Sequence, residues 1–300
     1  MTMAWQGVYP AVTTQFRPDE SIDLESTQRL VVQQLDDGVD GIIALGTCGE
    51  NASLSADEKQ SVLAALRDAV GSRAPLLAGV AETTTAGALR FVKAAERSRV
   101  DGFMVLPGLT YSSQPNETVQ HLKAVATATA LPVMIYNNPN AYHVDITVDL
   151  LAELAPVRNI VAVKEASEDA RRITDLVNRV GDRYAIFAGV DDFALEAVML
   201  GAVGWVSGLT SAFPREAVAM FRLARAGRYQ EALAIYRWFM PLLHLDSIPT
   251  LVQCIKLVSA LVDRGTEQTR APRLPLAGEA RAHVIRITEA ALKNRPRLPG

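Results

Sequence analysis

The chain has 300 residues, 49% of them hydrophobic and 21% charged, with a formal charge of −3 and a pI near 5.9. That is room for one large core or two ordinary ones in a normal soluble composition. It excludes several classes: the basic residues are too dispersed for a nucleic-acid partner, two cysteines make no disulfide framework, and no apolar run reaches the roughly 18 residues of a membrane span.

Met1-Thr-Met-Ala-Trp5 lacks the charged start and apolar run of a signal peptide, so a cytoplasmic location is expected. Val8–Thr13 is the first short apolar run, and Leu24–Asp37 the first helical pattern, with Val31 and Leu35 one turn apart. Gly41–Leu45 follows, then Asp57–Val70, with Val62, Leu63 and Leu66 on one face. Further runs stand at Pro75–Val80, Gly102–Leu106, Val133–Tyr136, Ile160–Lys164, Ala185–Val190 and Gly204–Ser207. Pro214–Ala226 opens on proline and sets Ala217, Met220, Phe221 and Ala224 at helical spacing. Most runs are rich in Val and Ile and too short for helices, which suits strands buried on both faces of a parallel sheet. Eight strand–helix units in series imply an α/β fold, a (β/α)8 TIM barrel over residues 1–227. Residues 228–300 read as a helical extension, helical throughout to about Arg295. A doubly wound open sheet is the alternative, but Val8–Arg17 has no phosphate-binding glycine loop.

Active sites of such barrels form at the C-terminal ends of the strands. Lys164 closes the sixth run, Asn159-Ile-Val-Ala-Val-Lys164. Burial there should lower its pKa, and a neutral amine forms Schiff bases with carbonyls. The alternative is a structural lysine paired with Glu165 or Glu168. Tyr136 ends the neighbouring strand, where a phenol could relay protons or simply pack. Gly46-Thr-Cys-Gly49 is a tight turn whose glycines allow unusual φ angles and whose N–H groups suit a carboxylate, or it is an ordinary β/α turn. Asp191 and Asp192 could bind a cation, but a turn or helix N-cap is the expected role. The four histidines match no metal-ligand spacing, and Cys48 has no partner for thiol catalysis.

With these motifs in order, the chain resembles the dihydrodipicolinate synthase / N-acetylneuraminate lyase family of Schiff-base lyases. Gly46-Thr-Cys-Gly-Glu50 resembles its Gly-Thr-Thr-Gly-Glu motif, Tyr136-Asn-Asn-Pro139 its Tyr-Asn-x-Pro motif, and Val163-Lys-Glu-Ala-Ser167 the segment with its imine lysine. The resemblance implies three C-terminal helices, a homotetramer, and no metal or organic cofactor beyond the covalent imine on Lys164. It makes Lys164 the imine former, Tyr136 the general acid/base and Thr47 a proton relay. The N–H groups of Thr47 and Cys48 would hold the substrate carboxylate, and Val206 would present a backbone carbonyl near the imine. Asn138 and His143, in and after the second motif, are further substrate-binding candidates. Tyr111, in Pro107-Gly-Leu-Thr-Tyr111, is the candidate for a tyrosine that crosses to a neighbouring subunit's site.

Two departures from the pattern matter. Cys48 replaces a threonine, which a backbone role tolerates. Ala141 stands where dihydrodipicolinate synthases carry an arginine that grips the second substrate's carboxylate, which argues against that activity. Leu243-His-Leu-Asp246 and Val252-Gln-x-Ile-Lys256 resemble the dehydratase and deaminase branch. The expected partner is therefore a small 2-oxo or cyclic 2-imino acid, as in Δ1-pyrroline-4-hydroxy-2-carboxylate deaminase. The alternatives are a 2-keto-3-deoxy sugar acid dehydratase, a pyruvate-dependent aldolase, and a non-catalytic oxo-acid sensor.

Overall fold

A computed structural model describes residues 5–108 and 110–299. The N-terminal residues on which the targeting expectation rests, and Leu109 in the segment before Tyr111, lie outside them. Eight strands run in parallel: β1 (Gly7–Pro10), β2 (Ile42–Ala44), β3 (Leu76–Val80), β4 (Gly102–Val105), β5 (Val133–Asn137), β6 (Ile160–Glu165), β7 (Ala185–Ala188) and β8 (Gly204–Ser207). Each pairs with its chain neighbour from β2 to β8, and β8 pairs with β1. A bridge from Ala11 to Ile43 brings β1 against β2, so the sheet closes into the expected barrel.

The helices that follow the strands are α1 (Leu24–Asp36), α2 (Ala56–Val70), α3 (Thr85–Ala95), α4 (Pro115–Thr127), a single turn α5 (Pro139–Tyr142), α6 (Val148–Leu154), α7 (Arg171–Val180), α8 (Ala194–Met199) and α9 (Pro214–Arg225). Their starts follow local chemistry. Asp23 accepts from Ser26 N at the head of α1, Ser55 and Glu58 form a reciprocal capping box on α2, and Pro214 opens α9. The strands are almost wholly buried because helices cover one face and barrel side chains the other.

Beyond α9 come α10 (Tyr229–Leu243), a 3₁₀ turn at His244–Ser247, α11 (Leu251–Leu261) and α12 (Gly278–Lys293). The expectation of helix throughout is corrected between α11 and α12, where residues 262–277 form no helix. That stretch straps the barrel instead. Thr266 N donates to Gln15 Oε1 at 2.8 Å, and Arg270 reaches Ser53 O and Glu58 at 3.1 and 2.9 Å. Its Gly and Pro residues and outward hydrogen bonds favour an irregular path over a helix. Among the described residues, no helix is long and apolar enough to cross a membrane.

Candidate active site

The parallel register sets Tyr136 of β5 directly beside Lys164 of β6. Both are nearly buried, and the Lys164 Nζ lies 4.0 Å from the centre of the Tyr136 ring. Among the described residues Lys164 is in no ion pair, so neither Glu165 nor Glu168 holds it. Glu165 instead accepts from Asn137 Nδ2 at 3.1 Å and from Ser167 N at 2.7 Å. Glu168 lines the same cavity without pairing to the amine.

That cavity is bounded by Thr47, Cys48, Tyr136, Asn138, Tyr142 and Lys164, with Ala141 and Asp246 on its wall, and offers about 60 Å³ to water-sized groups. It suits the reacting end of a small acid. Asn138 works twice at its edge. Its Oδ1 accepts from Ala141 N at 2.9 Å, which starts α5, and its Nδ2 donates to the Tyr136 hydroxyl at 3.1 Å. Burial pushes the Tyr136 phenol upward, so at neutral pH it is a proton donor.

The turn after β2 departs from expectation in its backbone. Neither Gly46 nor Gly49 has a positive φ; the left-handed residues are Leu45 and Glu50, at 58° and 54°. Gly49 is needed for space, because a Cβ there would come within 2.9 Å of Leu45 N. Among the described residues, the N–H groups of Thr47 and Cys48 have no backbone acceptor and remain available to an anion. The Cys48 thiol is buried and its pKa is raised by desolvation, so it stays a neutral thiol. Glu50 turns away from the cavity to a fully buried ion pair with Lys256 at 2.6 Å. The turn after β2 and the C-terminal extension are thereby joined as a brace.

Several candidates are not brought to the Lys164 cavity. His143 caps α5 in a left-handed conformation and is exposed, because the turn ends there and carries its ring outward. Tyr111 is 59% exposed beside a separate surface cavity with Thr83 and His121, so within one chain it does not reach Lys164. Val206 is buried in β8 opposite Tyr9, two residues short of Gly208, which does line the cavity. Asp191 and Asp192 lie in a 3₁₀ turn, Asp191–Phe193, in keeping with the turn expected there, and neither caps a helix. Asp191 accepts from Trp205 Nε1, Ser207 Oγ and Leu209 N, tying the end of β7 to that of β8. Asp192 holds His244 at 2.7 Å and Ser247 at 3.0 Å.

Two cavity residues escaped the sequence reading. Tyr142 makes a short hydrogen bond with the Thr47 hydroxyl, and its ring meets Tyr136 edge-on at 5.6 Å. Desolvation raises its pKa well above the usual phenol value, helped by the neighbouring Tyr136. The signal was the Asn138-Pro139 helix start, since one helical turn from it carries Tyr142 back over the cavity. Asp246 comes from the C-terminal extension, and only tertiary packing brings it there.

Comparison with known proteins agrees with this architecture. The dihydrodipicolinate synthetase family matches residues 4–291. A 4-hydroxy-tetrahydrodipicolinate synthase of Moorella thermoacetica is 33% identical over 97% of this chain and 98% of its own. One from Phocaeicola vulgatus is 33% identical over 90% of this chain and 91% of its own. The solved 4-hydroxy-tetrahydrodipicolinate synthase of Methylacidiphilum fumariolicum superposes with a TM-score of 0.91, at 30% identity over 97% of this chain and 98% of that one. With the barrel, the motif order and nearly full-length coverage in agreement, the chain belongs to the dihydrodipicolinate synthetase family.

Proposed function

We propose that the protein is a Schiff-base lyase acting on a small 2-oxo or cyclic 2-imino acid through Lys164, with dehydration or deamination as the step after the imine. The observation that carries this reading is the unpaired Lys164 amine, packed 4.0 Å from the Tyr136 ring centre in a small cavity. The amine attacks C2, and Tyr136 supplies and recovers protons as the carbinolamine loses water. The free N–H groups of Thr47 and Cys48 receive the substrate carboxylate. Thr47 and Tyr142 extend the proton path. The protonated imine is an electron sink, so C3 loses a proton to give an enamine, which expels a C4 hydroxyl. With Δ1-pyrroline-4-hydroxy-2-carboxylate, Lys164 exchanges with the ring imine, and hydrolysis then releases 2-oxoglutarate semialdehyde and ammonia. No separate cofactor enters this scheme, and assembly as a homotetramer belongs to the same reading.

Elimination is favoured over condensation by Ala141. It lines the cavity with a methyl group and offers no guanidinium for a second substrate's carboxylate. A second reading, condensation of pyruvate with an aldehyde, is favoured by the names of the relatives, which are 4-hydroxy-tetrahydrodipicolinate synthases. A substrate panel separates the two. Borohydride with pyruvate should inactivate the enzyme irreversibly and leave the mass adduct on Lys164, and Lys164→Ala should take up none. Turnover should then appear with the hydroxypyrroline or with 2-keto-3-deoxy sugar acids. Turnover of pyruvate with aspartate semialdehyde instead would establish the second reading. Absence of any adduct would sink both.

A further inference from the structure

Asp246 sits in the 3₁₀ turn His244–Ser247, which the C-terminal extension lays across the mouth of the barrel. Both ends of that turn are clamped to one residue of the β7 loop: His244 Nδ1 pairs with Asp192 at 2.7 Å and Ser247 Oγ donates to it at 3.0 Å. Asp246, inside that turn, is thus held in a fixed pose on the cavity wall. Its Oδ1 is sealed from solvent and has no hydrogen-bond partner. Among the described residues that line the cavity, Asp246 alone carries such an orphaned buried polar atom.

An unpartnered buried carboxylate oxygen costs free energy unless something else satisfies it. The fold has also made way for it. A Cβ at Gly208 would lie 2.3 Å from that same Oδ1, so the residue after β8 must be glycine for Asp246 to stand there. The amine of Lys164 is close enough to influence it electrostatically, and so is Asp192. The cavity therefore joins Lys164, Tyr136 and Thr47 to an orphaned carboxyl from another part of the chain.

We propose that Asp246 binds the C4 hydroxyl of the substrate and protonates it as it leaves. In this step the Asp246 carboxylic acid gives its proton to the C4 oxygen and the C4–O bond breaks. The enamine C2=C3 pair moves to form C3=C4, and the nitrogen lone pair forms N=C2. Water departs, leaving a carboxylate on Asp246 and a conjugated, positively charged imine on Lys164. Burial supports the role by raising the acid's pKa to about 6, which keeps part of it protonated near neutrality. This assignment rests on the elimination reading above and names the residue that makes the site prefer a hydroxylated substrate.

The test uses the full-length enzyme and Asp246→Asn, with two readouts. Borohydride trapping with pyruvate reports the imine alone, since pyruvate has no C4 hydroxyl. Turnover of the hydroxypyrroline and of 2-keto-3-deoxy sugar acids reports elimination. We expect the variant to trap pyruvate within about threefold of the wild-type rate, while kcat falls at least ~100-fold, the lower bound for a lost general acid. KM should change far less. Wild-type kcat in Asp246→Asn would overturn the proposal, and so would loss of trapping in step with turnover in a variant that melts like wild type, which would make Asp246 only a prop for Lys164. Asp246→Ser serves if Asn does not fold. If wild type traps pyruvate but eliminates water from no hydroxylated substrate, the elimination reading itself fails and this assignment falls with it.

Discussion

Replacing Lys256 with methionine tests whether α11 and the motif turn are one mechanical unit. Lys256 and Glu50 are both fully buried, 2.6 Å apart, and separated by 206 positions in the chain. Removing one member of such a pair leaves a buried charge uncompensated, which costs about 3–5 kcal/mol. The lower half of that range applies here, because Glu50 keeps the Arg270 N–H at 3.1 Å and Arg273 at 3.8 Å. At an unfolding entropy of about 2.1 cal/mol/K per residue, a chain of this length loses roughly 5 °C of Tm for 3 kcal/mol. Differential scanning fluorimetry and urea melts of Lys256→Met, Glu50→Gln and the double variant measure it. Sharing one interaction, the two changes should cost together at least ~1 kcal/mol less than the sum of the singles. A Lys256→Met melt within about 2 °C of wild type, or strictly additive losses, would refute the coupling.

Two further outcomes follow from the cavity. Tyr142→Phe removes the hydroxyl that bonds Thr47 and should lower kcat about 10-fold or more while pyruvate trapping persists, consistent with a proton-relay role; kcat within twofold of wild type would assign Tyr142 to packing. Asp246 gives a pH signature whose sign is fixed. Burial foremost, and Asp192 beside it, lift its pKa to about 6 against the opposing pull of Lys164, while the unfolded group titrates near 3.8. The folded state therefore holds a proton that the unfolded state has released, so this stabilisation is complete below about pH 4 and is lost as pH rises through about 6. Tm measured across that window should fall less steeply in Asp246→Asn than in wild type. A residual slope is expected, since Asp191 is also buried with its pKa raised. Identical profiles would show that the carboxyl does not titrate there.

What could be read directly from the chain was whatever repeats locally. Short Val- and Ile-rich runs between amphipathic segments specify buried parallel strands and covering helices, so the barrel was legible, and the helix starts expected at Asp57 and Pro214 fall at Ala56 and Pro214. The positions of Lys164 and Tyr136 were legible for the same reason, because residues near the C-terminal end of a barrel strand lie at the mouth whatever the rest of the protein does. Contacts that join distant segments were not. Gly49 was read as a φ device, yet it serves to let Leu45 pass closely, and the left-handed strain falls on Leu45 and Glu50. The irregular strap at 262–277 looked helical because its fixed path depends on acceptors such as Gln15, Ser53 and Glu58, far away in sequence. Asp246 enters the cavity only because Asp192 grips both ends of its turn, at His244 and Ser247, and Gly208 has no side chain to obstruct it. Sequence alone determined the barrel and the position of the Lys164 amine at its mouth, since backbone periodicity is a local property. The tertiary structure decided what shares the cavity with that amine, since side chains from distant segments meet only when packing closes the fold.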